Sequence, residues 1–391
     1  MLLVTAALAS TVAYSMYTSP ILETVPIDRL IANLEREYAH PDPNVKNTAN
    51  AAERLARLHA FAYAQKADSV NIDKNTQLEQ LPDSPAQIRM LQARDDQGRH
   101  VAQQHLATAL IWYKRALDLD PTDRVAQLGY GWTLQESGQK NEAKQIYRKI
   151  IAHEMSMSGD AMYDLHHGYQ IRSKWITAEA LDYLIPLLHP FWDWRELKTR
   201  REQRKIVQSW GDAISPIIIP LAPDVQVRKL IRDDLDVPFN LDGSGPEQHW
   251  TWISPQAGWL VCDYDAKGLI TSGRKLVGNV TFWLFWDNGF QVLTALDDNS
   301  DGRLTGEELR GFKIWRDNDC DGICRPGELM TLEQCGIVSL STSYIEIGCA
   351  GRTMWMSPNG VTLSDGSKRD YYDVVLKHRE EELTATSHSS R

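Results

Sequence analysis

Two twelve-residue runs, Asp297–Glu308 and Asp317–Glu328, carry oxygen-bearing side chains at their first, third, fifth and twelfth positions and glycine at their sixth. That pattern restricts the backbone severely. Three short side chains and a closing carboxylate must aim at one centre, and the chain must turn sharply at Gly302 and Gly322 to let them. Left uncompensated, Asp317, Asp319, Asp321 and Glu328 would repel one another. A hard divalent cation that takes six to eight oxygens answers this demand, and calcium suits it best. The first run offers Asp297, Asn299, Asp301, the Arg303 carbonyl and Glu308. The second offers Asp317, Asp319, Asp321, the Ile323 carbonyl and Glu328. Thr305 at the ninth position suits a ligand water, whereas Arg325 and Pro326 are unusual at the ninth and tenth. The expectation is about two calcium ions.

At these positions both runs resemble EF-hand loops. The resemblance implies that Leu309–Arg316 serves as outgoing helix of the first loop and incoming helix of the second. At about 1.5 Å per residue that is a rod of roughly 12 Å, too short to swing, so structural calcium is expected rather than a sensor. Two decayed copies precede the pair. Asn240-Leu241-Asp242-Gly243-Ser244-Gly245 lacks a closing acid, and Thr251 stands at its twelfth place; it remains open to a weak ion. Asp263-Tyr264-Asp265-Ala266-Lys267-Gly268 has Lys267 at its fifth place and Arg274-Lys275 where it should close. Lys267 is expected to occupy the cation's place. Across Pro238–Ile337 the chain resembles a recurrent module of secreted bacterial proteins, found also beside repeat-in-toxin regions. That resemblance implies an extracellular, calcium-stabilised module with no enzymatic activity.

The N-terminal half has another rhythm. Leu106, Leu110, Tyr113 and Leu117, then Leu128, Trp132, Ala143, Tyr147 and Ile150, recur at helical spacing, with Gly138 as a turn. Ala109, Tyr113, Ala116, Leu117 and Pro121, followed by Leu128, Gly129, Ala143 and Tyr147, resemble tetratricopeptide repeats. Weaker echoes lie at Leu55–Ala64 and Ala178–Leu184. The resemblance implies a solenoid that holds a protein partner, although a helical spacer without a ligand stays open. Trp192 and Trp194 are read as packing at the end of this array, and His166-His167 as solvated histidines.

The formal net charge is −10, which argues against a nucleic-acid or anionic-membrane surface as the main partner. Met1–Leu22 carries no charge and is read as an export signal; a membrane role is expected only if this segment stays uncleaved. All five cysteines lie in the C-terminal half, enough for up to two disulfides of undetermined pairing. Ile214–Leu221 reads as a buried strand or connector. Thr353–Met356, Val361–Leu363 and Tyr371–Leu376 read as strands joined by turns at Ser357–Gly360 and Ser364–Gly366. The aromatics Trp250, Trp252, Trp259, Phe282, Trp283, Phe285 and Trp286 admit two readings, core or exposed sugar platform, and core packing is the commoner fate.

The expected class is α+β. It comprises a signal at 1–22, a tetratricopeptide-like domain at 23–205, a connector at 206–235, a domain of calcium loops and short antiparallel strands at 236–376, and a disordered tail at 377–391. The expected function is a non-enzymatic, calcium-binding protein of the periplasm or the extracellular space, binding an unidentified protein partner through its helices. The alternative is a carbohydrate-active or other hydrolase with structural calcium.

Overall fold

A computed structural model describes residues 26–40, 45–65, 96–157, 170–208, 213–223, 225–243, 247–349 and 352–379. The expectations for Met1–Leu22, for His166-His167 and for residues 380–391 lie outside them. The chain divides into two units, Met1–Trp210 and Gly211–Arg391. The class is α+β, with a helical N-terminal half and an antiparallel C-terminal half.

The first unit contains α1 (Ile27–Ala39), α2 (Val45–Gln65), α3 (Asp96–Leu119), α4 (Arg124–Glu136), α5 (Lys140–Met157), α6 (Gln170–Leu187) and α7 (Trp194–Gln208). Each helix packs on the next in sequence. The periodic residues Leu106, Tyr113, Leu128, Trp132 and Tyr147 all lie in the core. Asp123 starts α4 by accepting from Val125 N at 2.8 Å and Ala126 N at 3.1 Å, satisfying two amides that the helix leaves open. Gly138, at φ 90°, turns the chain between α4 and α5. α4 and α5 approach closely at Gly131, where a β-carbon would lie 2.9 Å from the Tyr147 ring.

Two expectations fail in this unit. From α3 to α7 the helices run 24, 13, 18, 18 and 15 residues, so no regular helix pair repeats as a tetratricopeptide array requires. Trp192 and Trp194 do not pack at the end of the array; both are exposed.

The second unit contains β1 (Ala213–Ile214), β2 (Ile217–Pro220), α8 (Val227–Leu230), β3 (Ile231–Phe239), β4 (Gln248–Ile253), β5 (Ala257–Cys262), α9 (Gly289–Thr294), β6 (Arg303–Thr305), β7 (Phe312–Trp315), β8 (Leu329–Thr331), β9 (Ile337–Ser341), β10 (Ile345–Cys349), β11 (Arg352–Leu363), β12 (Lys368–Asp373) and β13 (Leu376–Lys377). One sheet runs β6-β9-β11-β12-β2-β5-β7-β8, with β10 also paired to β11; β1-β13 and β3-β4 form two small pairs. The apolar run at Ile214–Leu221 supplies β1 and β2, and Ile217, Ile218 and Ile219 are buried. Trp250, Trp252, Trp259, Phe282, Trp283, Phe285 and Trp286 are all buried, so they are core and not a platform.

Chain length forces this sheet to curl. Six strand spacings separate β6 from β7, a contour of about 29 Å at roughly 4.8 Å each. Only Gly306–Gly311 joins them, and its first four residues form a 3-10 turn, so the link reaches about 19 Å at most. The two strands can be joined only if the sheet closes partway into a half-barrel.

The link at Leu309–Arg316 is not a helix. It becomes β7, which pairs with β5 and β8. Gly311, at φ 91°, breaks any helix there, and a β-carbon would lie 2.5 Å from the Tyr264 ring. Asp317–Glu328 is therefore flanked by strands, and helix–loop–helix geometry is absent. Ser357–Gly360 is likewise no turn but a bulge within the single strand β11, whereas Ser364–Gly366 does turn the chain into β12. Lys377–Arg379, read as the start of the tail, continue along the core, and Arg379 N donates to His249 O at 2.7 Å.

Candidate metal centre

The two loops are braced in nearly the same way. Asp297 accepts from Gly302 N at 2.8 Å and Asp301 N at 3.3 Å. Asp317 does the same with Gly322 N at 3.0 Å and Asp321 N at 3.3 Å. Glu308 folds back onto Asp298 N and Thr305 N, both at 2.9 Å. Glu328 mirrors it, accepting from Asn318 N at 2.9 Å and Arg325 N at 3.1 Å. Ser300 and Cys320 at φ 58° and 59°, and Gly302 and Gly322 at 82° and 77°, repeat the same two left-handed residues. Backbone amides thus fix the first and last carboxylate of each loop, leaving the intervening side chains to converge.

They converge most fully in the second loop. One carboxylate oxygen from each of Asp317, Asp319 and Asp321 lies within 4.8 Å of the others, a span that suits a cation bound by oxygens. Asp317 is buried at 2% exposure, and Trp252 Nε1, arriving from β4, donates to its Oδ2 at 2.7 Å. Burial raises the Asp317 pKa and Glu328 adds to it; burial and Glu308 do the same to Asp297. Three carboxylates held so close, with Asp317 buried and Asp319 and Asp321 facing solvent, favour a shared counter-charge, so the donor set fits a metal ion. In the first loop the third position is an amide, and Asn299 Oδ1 accepts from Asp301 N at 2.9 Å. Among the described residues its acids form no comparable cluster of three. The Arg303 side chain turns away, donating to Ser339 Oγ at 2.7 Å and Thr362 Oγ1 at 2.8 Å.

The second loop also holds a cation of its own. Arg325 Nη1 lies 3.2 Å from Asp319 Oδ2 and 3.0 Å from Asp321 Oδ1, and this pairing lowers the Asp321 pKa. Arg325 was notable in sequence only as an odd ninth residue. Its role as an internal partner for two candidate ligands, like that of Trp252 for Asp317, was missed.

The Asp263 loop is filled by side-chain cations, though not by the expected one. Lys267 lies 3.6 Å from Asp265 on the exposed side. The interior position belongs to Lys275, at 3.2 Å from Asp265 and 3.8 Å from Asp263, and to Lys313, at 2.6 Å from Asp263. Arg274 lies against Gly243 in the Asn240 loop, where a β-carbon would come within 2.7 Å of its Cγ, and stacks 4.0 Å from the Trp283 ring centre. All five cysteines are free thiols.

Residues 224–377 match the family model described as the SPM domain. No tetratricopeptide or EF-hand family model matches, which overturns both resemblances, in keeping with the unequal helices and with the strands on either side of the second loop. One curated relative is the iron-regulated protein FrpA of Neisseria meningitidis serogroup C. It is 31% identical over 132 residues, 32% of this chain and 12% of that protein. The chain therefore spans only a small part of the relative it matches.

Proposed function

We propose that the C-terminal unit binds calcium at Asp297–Glu308 and Asp317–Glu328, and that the ions hold a fixed fold and take no part in chemistry. The observation that carries this reading is the convergence of Asp317, Asp319 and Asp321 around one point with Asp317 buried. The strand flanks favour a structural ion, because β7 and β8 are tied into the sheet and have no helix pair to swing apart. The helical unit is assigned to binding a protein partner, and the whole chain to a non-enzymatic role. A carbohydrate-active reading needed Trp250, Trp252, Trp259, Trp283 and Trp286 to be exposed, and all five are buried. Export to the periplasm or beyond agrees with the uncharged Met1–Leu22 segment.

Calorimetric titration of the full chain with calcium tests this. About two sites are expected, with dissociation constants of about 10⁻⁵–10⁻³ M. Asp301→Ala and Asp321→Ala should each remove one. Arg325→Ala should tighten the second site about threefold by freeing Asp319 and Asp321, a modest gain because Arg325 is largely solvated. Titrations without heat, or unchanged by either aspartate substitution, would sink the reading.

A further inference from the structure

The turn between α6 and α7 holds three large aromatic side chains in water. Phe191 is 70% exposed, Trp192 76% and Trp194 55%. An exposed apolar cluster of this size marks an interaction surface more often than chance. The backbone fixes it there. Asp193 Oδ2 accepts from His189 N at 2.8 Å, and His189 Nδ1 accepts from Phe191 N and Trp192 N, both at 3.2 Å. Asp193 N returns to His189 O at 2.9 Å, and Leu197 N bonds to Asp193 O at 2.8 Å. The Phe191 and Trp192 rings meet edge-on with centroids 4.8 Å apart. Five hydrogen bonds therefore brace a turn whose side chains gain nothing from burial.

The charge beside this cluster is mainly positive, although Asp193 lies in the turn and Glu202 in the groove. Lys198, Arg201 and Lys205 follow Trp194 at steps of four, three and four residues, which places them on one helix face. All three are exposed, and among the described residues none has an ion pair. The other basic residues of the helix are engaged: Arg200 bonds to Glu196 and Arg204 to Asp182, while Arg195 lies over Trp194. The three free cations and Trp194 border an open groove of about 340 Å³, with Glu202 as its one acid.

We propose that this face docks on an anionic lipid bilayer. Aromatic rings partition to the boundary between headgroups and acyl chains, and Lys and Arg behind them meet the phosphates. A planar partner is favoured because the rings project from a turn and line no enclosed pocket. The chain's net charge of −10 opposes such contact only weakly, since acids farther than about 8 Å are largely screened at physiological salt. Among the described residues no helix is long and apolar enough to cross a membrane, so the contact is peripheral.

Vesicle flotation of the full chain tests the proposal, run both in calcium, which keeps the second unit loaded, and in chelator, where calcium bridges nothing. Vesicles of phosphatidylcholine are compared with vesicles containing about one third phosphatidylglycerol. The chain should bind the anionic vesicles at least about tenfold more tightly, and less well as salt rises. Phe191→Ala with Trp192→Ala, and separately Lys198→Glu with Arg201→Glu, should each weaken binding about tenfold or more. Their melting temperatures should not change, because all four residues are exposed. Failure to bind, equal binding to neutral vesicles, or parent-like binding by both variants would overturn it. So would a parent oligomer that the variants lose without any vesicle binding, which would make the face a contact between copies.

Discussion

Lys275 shows how an acidic loop can be held in shape by a side-chain cation. Its ammonium stands between Asp263 and Asp265 at 8% side-chain exposure, with Lys313 closing the far side. Removing one partner of a buried pair leaves the other charge uncompensated and costs about 3–5 kcal/mol. Lys275→Ala should cost less than that, about 1–3 kcal/mol in urea denaturation, because Lys313 still pairs with Asp263 and Lys267 with Asp265, and saturating calcium should not restore it. Restoration by calcium would mean that the Asp263 loop still takes an ion. The ligand positions proposed for the two loops could be read from sequence because their spacing is local, fixed within twelve residues. The groups that support or replace the ion were hidden. Trp252 reaches Asp317 from 65 residues away and Lys313 reaches Asp263 from 50, and no local pattern encodes such meetings.

Among the elements, short segments were the least legible. Leu309–Arg316 has too few residues for its apolar spacing to separate strand from helix, and pairing with β5 decided the matter. Ile214–Leu221, a run of the same length, was readable because its apolar residues are almost uninterrupted and so mark a buried strand. Asp373, at the end of β12, ties that strand to α9 by accepting from Gly289 N, and α9 leads into the Asp297 loop. Burial pushes the Asp373 pKa up to about 8, against about 3.9 in an unfolded chain. The folded state therefore holds its proton more tightly. Its stabilising contribution is complete below about pH 4 and is lost as pH rises through about 8. Unfolding free energy should fall between pH 5 and 8 by up to about 1.4 kcal/mol per pH unit, and Asp373→Asn should flatten that slope. Equal slopes in urea titrations at both pH values would show that Asp373 does not titrate in this range.

On the scale of the whole molecule, the change from helical to alternating pattern was plain in the sequence, and the two halves separate accordingly. The matched family span, 224–377, falls within the second unit alone. Calorimetric melting should therefore resolve two transitions, of which only one responds to chelator. At 100 times the dissociation constant each ion contributes about 2.7 kcal/mol, so two ions should move that transition by about 10–20 °C. A shift of both transitions together, or of neither, would contradict the assignment.

The strand order has a further consequence. β6, inside the first loop, forms one margin of the curled sheet, and β8, directly after the second loop, forms the other. The free margin of a sheet is a template on which another chain can add a strand. Each loop sits where such growth would begin. An ion bound there does more than hold a turn: it keeps the outermost strand shaped to its own neighbour. Ion loss would then be felt first as a gain in self-association, before any loss of the fold itself.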